Sequence, residues 1–165
     1  DRCRYDIVVM VQGDEPLMRP ETIAETLRHF ADPRVEIVNI MSRLRSYKQF
    51  ADRNNVKVVV NHNSDALYFS REPIPSPWRG VDGLPMYQQT GIIAFRRDVL
   101  VRVNATPETR LEQIESVDMN RVLETGGRIR MVLTDAVTIS VDTPAELEAA
   151  AALIADDPAT SPSLT

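Results

Sequence analysis

A single cysteine, Cys3, rules out an internal disulfide framework and any cysteine zinc site, and fits a reducing cytoplasm. Histidine is almost as scarce: His29 falls on a predicted helix face and His62 in a turn, and neither reads as a metal ligand. No apolar run approaches the roughly 18 residues of a membrane-spanning helix, and no signal-peptide pattern precedes the first strand. The chain therefore reads as soluble, with no membrane partner. Basic residues are outnumbered, 19 against 24 acids, and form no dense run, which argues against a nucleic-acid partner. The net charge of −5 remains compatible with a carboxylate metal site. What is present, 43% hydrophobic and 26% charged residues over 165 positions, suffices for one domain with a sizeable core.

The chain is organised around Ile7-Val8-Val9-Met10-Val11-Gln12-Gly13-Asp14-Glu15-Pro16, an apolar run that ends on two carboxylates. Its β-branched character predicts a strand buried on both faces, as in a parallel sheet. Ligands of open α/β sheets bind beyond the carboxyl ends of strands, which is where Asp14 falls. Asp14 and Glu15 read equally as loop acids capping the next helix. A buried central strand needs neighbours on both sides, yet this one opens at Ile7, so an amino-terminal segment is expected to be missing.

The rest alternates. Pro20-Glu21-Thr22 opens a helix whose buried stripe is predicted to be Ile23, Leu27 and Phe30, with Asp32-Pro33 closing it. Strands are expected over 35–41, 56–60 and 66–70, with a short helical turn over 47–51. The proline-rich stretch from Arg71 to about Pro85 is too long for a routine connection and has the character of a lid, a binding loop or a disordered segment. A strand over 87–96 and a helix over 97–103 follow. Thr109-Arg110-Leu111-Glu112 has the form of a capping box and predicts one helix through Ile114, Val117 and Val122 to Gly126-Gly127. Strands over 129–133 and 137–141 precede a helix announced by Thr143-Pro144-Ala145-Glu146 and ending near Ala155. The expected organisation is one domain over 1–155 and a disordered tail over 156–165.

Asp14 and Asp142 stand at equivalent places, each after a β-rich run and before a helix. Two carboxylates brought within about 4 Å repel by about 4 kcal/mol at an effective dielectric of about 20, so a cation would have to sit between them. Oxygen ligands without cysteine favour a hard ion such as Mg²⁺. Asp142 serves equally well as a partner of the helix dipole. Arg71, before the proline loop, could grip a carboxylate or phosphate with its planar fork, or pair with Glu72. Lys57, inside an apolar strand, must find an anionic partner or reach the surface. Glu112 reads as a capping residue and Glu115 as helix surface.

Taken together, Val-Gln-Gly-Asp-Glu-Pro-Leu from Val11, Val56-Lys57-Val58-Val59, Ala66-Leu67-Tyr68-Phe69-Ser70-Arg71, Pro73-Ile74-Pro75, Leu111-Glu112-Gln113-Ile114-Glu115 and Val141-Asp142-Thr143-Pro144 resemble the 3-deoxy-manno-octulosonate cytidylyltransferases. The likeness runs in family order from about Asp6 to Leu153. It implies an α/β, Rossmann-like nucleotidyltransferase fold with a mixed, mostly parallel sheet, and a cytoplasmic homodimer. The implied activity is Mg²⁺-dependent transfer of CMP from CTP to an acidic eight-carbon sugar, with release of pyrophosphate, for lipopolysaccharide or other surface polysaccharide. By the same resemblance, Asp14 and Asp142 would be the metal ligands and Arg71 would meet the sugar acid. Gln12, Glu112 and Gln113 would line the sugar pocket, with Gln89 and Lys57 in the same region.

Two departures qualify it. Gln89-Thr90-Gly91-Ile92-Ile93 stands where the family pattern has His-Leu-Gly-Ile-Tyr, and Ser116-Val117-Asp118-Met119-Asn120 also differs, which leaves the sugar open to another acid such as a neuraminate. The family's glycine- and basic-rich loop for the CTP phosphates is absent from this sequence, so the chain as it stands is expected to be inactive alone. A dimerising, non-catalytic paralogue is the alternative of a different class.

Overall fold

β5, Tyr87–Arg96, is the strand on which the sheet is assembled. A strand has two edges, and β2, Ile37–Arg43, runs antiparallel along one of them from Tyr87 to Phe95. The other edge is shared: β3, Lys57–Val60, meets it at Gln88, and β1, Ile7–Val11, pairs antiparallel with Ile92 to Arg96. β4, Ala66–Ser70, is antiparallel to β3, and β6, Arg130–Thr134, is parallel to β2. The order is thus β4-β3-β5-β2-β6, with β1 beside β5. The computed structural model describes residues 5–135, 141 and 144–155.

The α/β class with a mixed sheet stands, but its balance differs from the expectation. Among the described strands only β2 and β6 are parallel. The strand buried on both faces is β2, not β1: Ile37 and Met41 face one core cluster, Val38 and Ile40 the other. β1 is half-buried and, among described residues, pairs only with β5, so its apolar run reflects packing of Met10 on one face and Ile7 and Val9 on the other. At the end of the sheet away from the ends of β1 and β4 the sheet curls. Ala66 N–H donates to Ile129 O at 2.9 Å and Met131 N–H to Ser64 O at 2.7 Å, joining the starts of β4 and β6. Phe69, Phe95, Ile129 and Met131 fill the enclosed side.

The helices cover this frame. α1, Pro20–Arg28, continues as a 3-10 turn, His29–Ala31. Its buried stripe differs from the predicted one: Phe30 is buried, but Leu27 is 40% exposed and Thr26 takes the inward place. Thr26 satisfies its hydroxyl on Thr22 O at 2.7 Å, which is why a polar residue is tolerated there. α2, Tyr47–Ala51, and α3, Arg97–Ala105, form near the expected positions. The single helix predicted after Thr109 is two, α4, Arg110–Glu115, and α5, Met119–Glu124. Ser116, left-handed at φ 53°, breaks it, so Ile114 turns outward at 64% exposure while Val117 is buried. α6, Pro144–Ala155, begins at the predicted proline. The strand predicted over 137–141, apart from Val141, and the tail over 156–165 lie outside the described residues.

Candidate functional site

A cleft of about 910 Å³ opens at the end of the sheet where β1 and β4 finish and β3 and β5 begin. Its walls come from Gln12, Asp14 and Glu15 after β1, Asn54 to Val56 before β3, Arg71 after β4, Gln88 to Gly91 of β5, and the α4–α5 region from Glu108 to Asp118. Among the described residues its lining has no histidine or cysteine and consists largely of carboxylates and amides with one arginine.

The β5 wall is shaped by a bulge. The β2–β5 register shifts between Asn39 and Met41, which pair with Ile93 and Gln89. Buried Asn39 fixes the shift: its Nδ2 donates to Thr90 O at 3.0 Å and Ile92 O at 2.9 Å, while the Thr90 hydroxyl donates to Ile40 O at 3.2 Å. Gly91, inside the bulge, then receives the β1 loop. Gln12 N–H donates to Gly91 O at 2.9 Å, and Gly91 N–H donates to Glu15 Oε1 at 2.7 Å. A Cβ on Gly91 would lie 2.5 Å from Gln12 Oε1 and 2.8 Å from Gln12 Cβ. The absence of a side chain there is what lets Gln12 lie across β5 into the cleft. Gln89 presents a buried Oε1 without a protein partner among the described residues.

Arg71 is held from every side. Its Nε donates to Glu115 O, its Nη1 to Arg53 O and its Nη2 to Ser116 O, at 2.9, 2.9 and 3.2 Å. An arginine has five side-chain N–H groups, so two have no partner among the described residues, and Arg71 lines the cleft. Glu72 pairs instead with Arg53 at 2.6 Å. Arg71 N–H donates to Glu115 Oε2 at 2.9 Å, while Glu115 Oε1 accepts from Tyr68 OH at 3.0 Å and Ser70 Oγ at 2.9 Å. Burial alone would raise the Glu115 carboxyl, but these hydrogen bonds outweigh it and hold it below the usual glutamate range.

Lys57 stands behind this wall rather than in it. The residue is fully buried, and its ammonium donates to Asp52 O at 2.7 Å, Asn55 O at 2.6 Å and Arg71 O. Burial pushes its pKa down. All three of its donors are taken by carbonyls, so it lies behind the lining and not in it. Its effect on the cleft is indirect, through Asn55 and Arg71.

Glu112 lines the cleft with its carboxylate already committed. Arg121 grips it with Nε to Oε2 at 2.7 Å and Nη2 to Oε1 at 2.5 Å, and Thr109 N–H donates to Oε2 at 3.1 Å, the capping half foreseen from the sequence. The hydrogen bonds from Arg121 hold its pKa below the usual range. Gln113, exposed, carries a long 3.4 Å contact from its amide to Glu108 and lies in the cleft.

The structure thus brings Gln12, Asp14, Arg71, Gln89, Glu112 and Gln113 into one cleft and leaves Lys57 outside its lining. Asp142 lies outside the described residues, although Val141 N–H donates to Asp14 O at 2.9 Å. Ile93, in place of the phenol of the resembling pattern, is buried in the core and does not line the cleft; of the three changed positions in that segment, Gln89 and Thr90 do. Sequence reasoning missed Asn39, Glu15, Glu115 and Arg121 as shapers of the site. Asn39 could have been found as a polar residue inside an apolar run, whereas nothing local distinguishes Glu115 from helix surface. Among the described residues no three histidine, cysteine, aspartate or glutamate side chains cluster as a metal site. The oxygen donors that do face the cleft suit a hard cation.

An α/β domain with a mixed sheet and a polar cleft at the strand ends has the architecture of a small-molecule-binding domain, with the ligand placed at that end of the sheet. The family model for cytidylyltransferases matches residues 2–130, and the chain belongs to that family. It is 40% identical over 153 residues to the 3-deoxy-manno-octulosonate cytidylyltransferase of Pelobacter propionicus, covering 86% of this chain and 60% of that protein. It is also 40% identical over 156 residues to the Escherichia coli protein of the same name, covering 94% and 63%. The structure of CMP:2-keto-3-deoxy-manno-octonic acid synthetase complexed with CTP superposes with a TM-score of 0.84 at 40% identity, over 93% of this chain and 64% of that one. The chain therefore spans a little over three-fifths of the relatives it matches.

Proposed function

We propose that this chain carries the sugar-binding and reacting side of a cytidylyltransferase that moves CMP from CTP to a 3-deoxy-ulosonic acid of the 3-deoxy-manno-octulosonate type. The observation that carries the reading is the convergence of Asp14, Gln12, Gln89, Gln113 and the two uncommitted N–H groups of Arg71 on one cleft, in a chain 40% identical to proteins of that name. The relatives' names and the CTP-bound neighbour supply the substrates.

In this reading the sugar's carboxylate docks on Arg71, whose fork suits a carboxylate bidentately. The amides of Gln12, Gln89 and Gln113 donate to and accept from its hydroxyls. The anomeric hydroxyl oxygen bonds to the α-phosphorus of CTP, the bond from that phosphorus to the bridging oxygen breaks, pyrophosphate leaves, and the hydroxyl proton passes to solvent. Asp14 with Asp142 would hold Mg²⁺, which neutralises the triphosphate and shields the incoming oxygen from it. Positioning by the cleft supplies much of the remaining rate. The protein works as a homodimer in the cytoplasm, on the supply side of surface polysaccharide synthesis.

The test is pyrophosphate release by the natural full-length product from CTP and Mg²⁺, with 3-deoxy-manno-octulosonic acid and N-acetylneuraminic acid supplied separately. Release with the first and not the second is expected. Release only with the neuraminate moves the assignment to another acidic sugar, and release with neither overturns it.

A further inference from the structure

Arg71 owes its placement to a residue that does not line the cleft. Glu115, at the last position of α4, accepts three hydrogen bonds from one short stretch at the end of β4, the hydroxyls of Tyr68 and Ser70 and the N–H of Arg71. Its own carbonyl accepts Arg71 Nε, and the next carbonyl, Ser116 O, accepts Nη2. A tight left-handed residue at Ser116 turns that second carbonyl back toward Arg71. The α4 terminus is thereby clasped to the β4 terminus by five hydrogen bonds, and three of the five belong to Arg71. An arginine on a flexible stem would otherwise lose rotamer freedom on capturing a carboxylate, and a pre-set one avoids that cost.

We propose that Glu115 is a positioning residue for the acidic substrate: by clasping α4 to β4 it fixes the guanidinium of Arg71 with its two uncommitted N–H groups toward the cleft. The inference rests on the reading of Arg71 as the carboxylate receptor. Its chemistry is geometric rather than electrostatic. A glutamine in its place retains one carbonyl oxygen for Arg71 N–H and turns its amide N–H groups to the hydroxyl oxygens of Tyr68 and Ser70, which can accept. An aspartate keeps the charge but is one methylene short of spanning both sets of donors.

The experiment measures binding of 3-deoxy-manno-octulosonic acid and of its C1 carboxamide by calorimetry, to the natural full-length product carrying Glu115→Gln, Glu115→Asp, Arg71→Ala or the Arg71→Ala/Glu115→Asp pair. The preference for acid over carboxamide reports the Arg71 contact and is insensitive to the folded fraction. Positioning predicts that Glu115→Gln keeps the preference within about threefold, that Glu115→Asp lowers it about tenfold, and that Glu115→Asp changes nothing further once Arg71 is alanine, the signature of two residues acting as one unit. A purely structural role for Glu115 would lower the melting temperature and leave the preference intact in both variants, which overturns the inference alone. A charge role would reverse the order of Gln and Asp and also overturns it. A wild-type protein that binds acid and carboxamide equally overturns the Arg71 reading itself, and the inference with it.

Discussion

The backbone N–H of Val141 donates to the carbonyl oxygen of Asp14 at 2.9 Å, joining the loop after β1 to the chain immediately before Asp142. Residues far apart in sequence therefore meet beside Asp14, a residue of the cleft lining, and the proposed sharing of a cation by two aspartates starts from that contact. The bond is made by backbone, so it survives substitution of either side chain and leaves the carboxylates testable separately.

Gly91→Ala is the most local probe of the cleft. The new methyl would fall 2.5 Å from Gln12 Oε1 and 2.8 Å from Gln12 Cβ, and the second contact cannot be relieved by swinging the end of a flexible chain. Overpacking of this kind costs about 1–3 kcal/mol. The expected result in urea unfolding is a loss in that range, with weaker binding of the sugar acid because Gln12 is displaced. An unchanged affinity would show that Gln12 is not a substrate contact.

The Glu112–Arg121 pair sets the acid limit of the α4–α5 unit. Its folded-state carboxyl lies below the unfolded value, chiefly through hydrogen bonds from Arg121. The contribution is therefore fully present above the ordinary glutamate value of about 4.3 and is lost as pH falls through the lower folded value. Glu112→Gln is expected to destabilise the protein at pH 7 and to flatten its loss of stability below about pH 4, read from melting temperature against pH. Glu112→Ala leaves the Arg121 guanidinium with only the carbonyls of Val103 and Thr106 and is expected to cost about 1–3 kcal/mol.

Lys57→Met removes a buried ammonium that serves three carbonyls, those of Asp52, Asn55 and Arg71. Methionine fills the volume but leaves the carbonyls unpaired, at about 1–3 kcal/mol for each that water cannot reach. A loss of several kcal/mol in denaturant unfolding is expected, together with a raised KM for the sugar as the Asn54–Val56 wall loosens. A raised KM with unchanged stability would instead return Lys57 to direct substrate contact.

Particular residues show how much of the fold is legible in the sequence. The strands over 66–70 and 87–96 and the proline start of α6 were legible because local pattern and tertiary structure agree there. The role given to β1 was not, since an apolar β-branched run does not say which strands flank it, and β2 has the same pattern with the double burial. The break at Ser116 was hidden because helical periodicity continues across it, and a left-handed serine carries no signal of its own. Motif order singles out Asp14, Arg71 and Gln12, and all three line the cleft. Glu115 was passed over, because its three partners lie on another element and only the folded chain shows them.

The proposed function turns on a divalent ion that Asp14 and Asp142 would share, where nucleotide and sugar acid would meet. The most direct measurement is an anomalous-difference map from crystals of the natural full-length product grown with CTP and Mn²⁺, a hard ion that takes the same oxygen donors. The expected result is a peak at about 2.1 Å from carboxylate oxygens of both residues, lost in Asp14→Asn crystals. A peak on neither aspartate, in a protein that still releases pyrophosphate from CTP and the sugar acid, would contradict it.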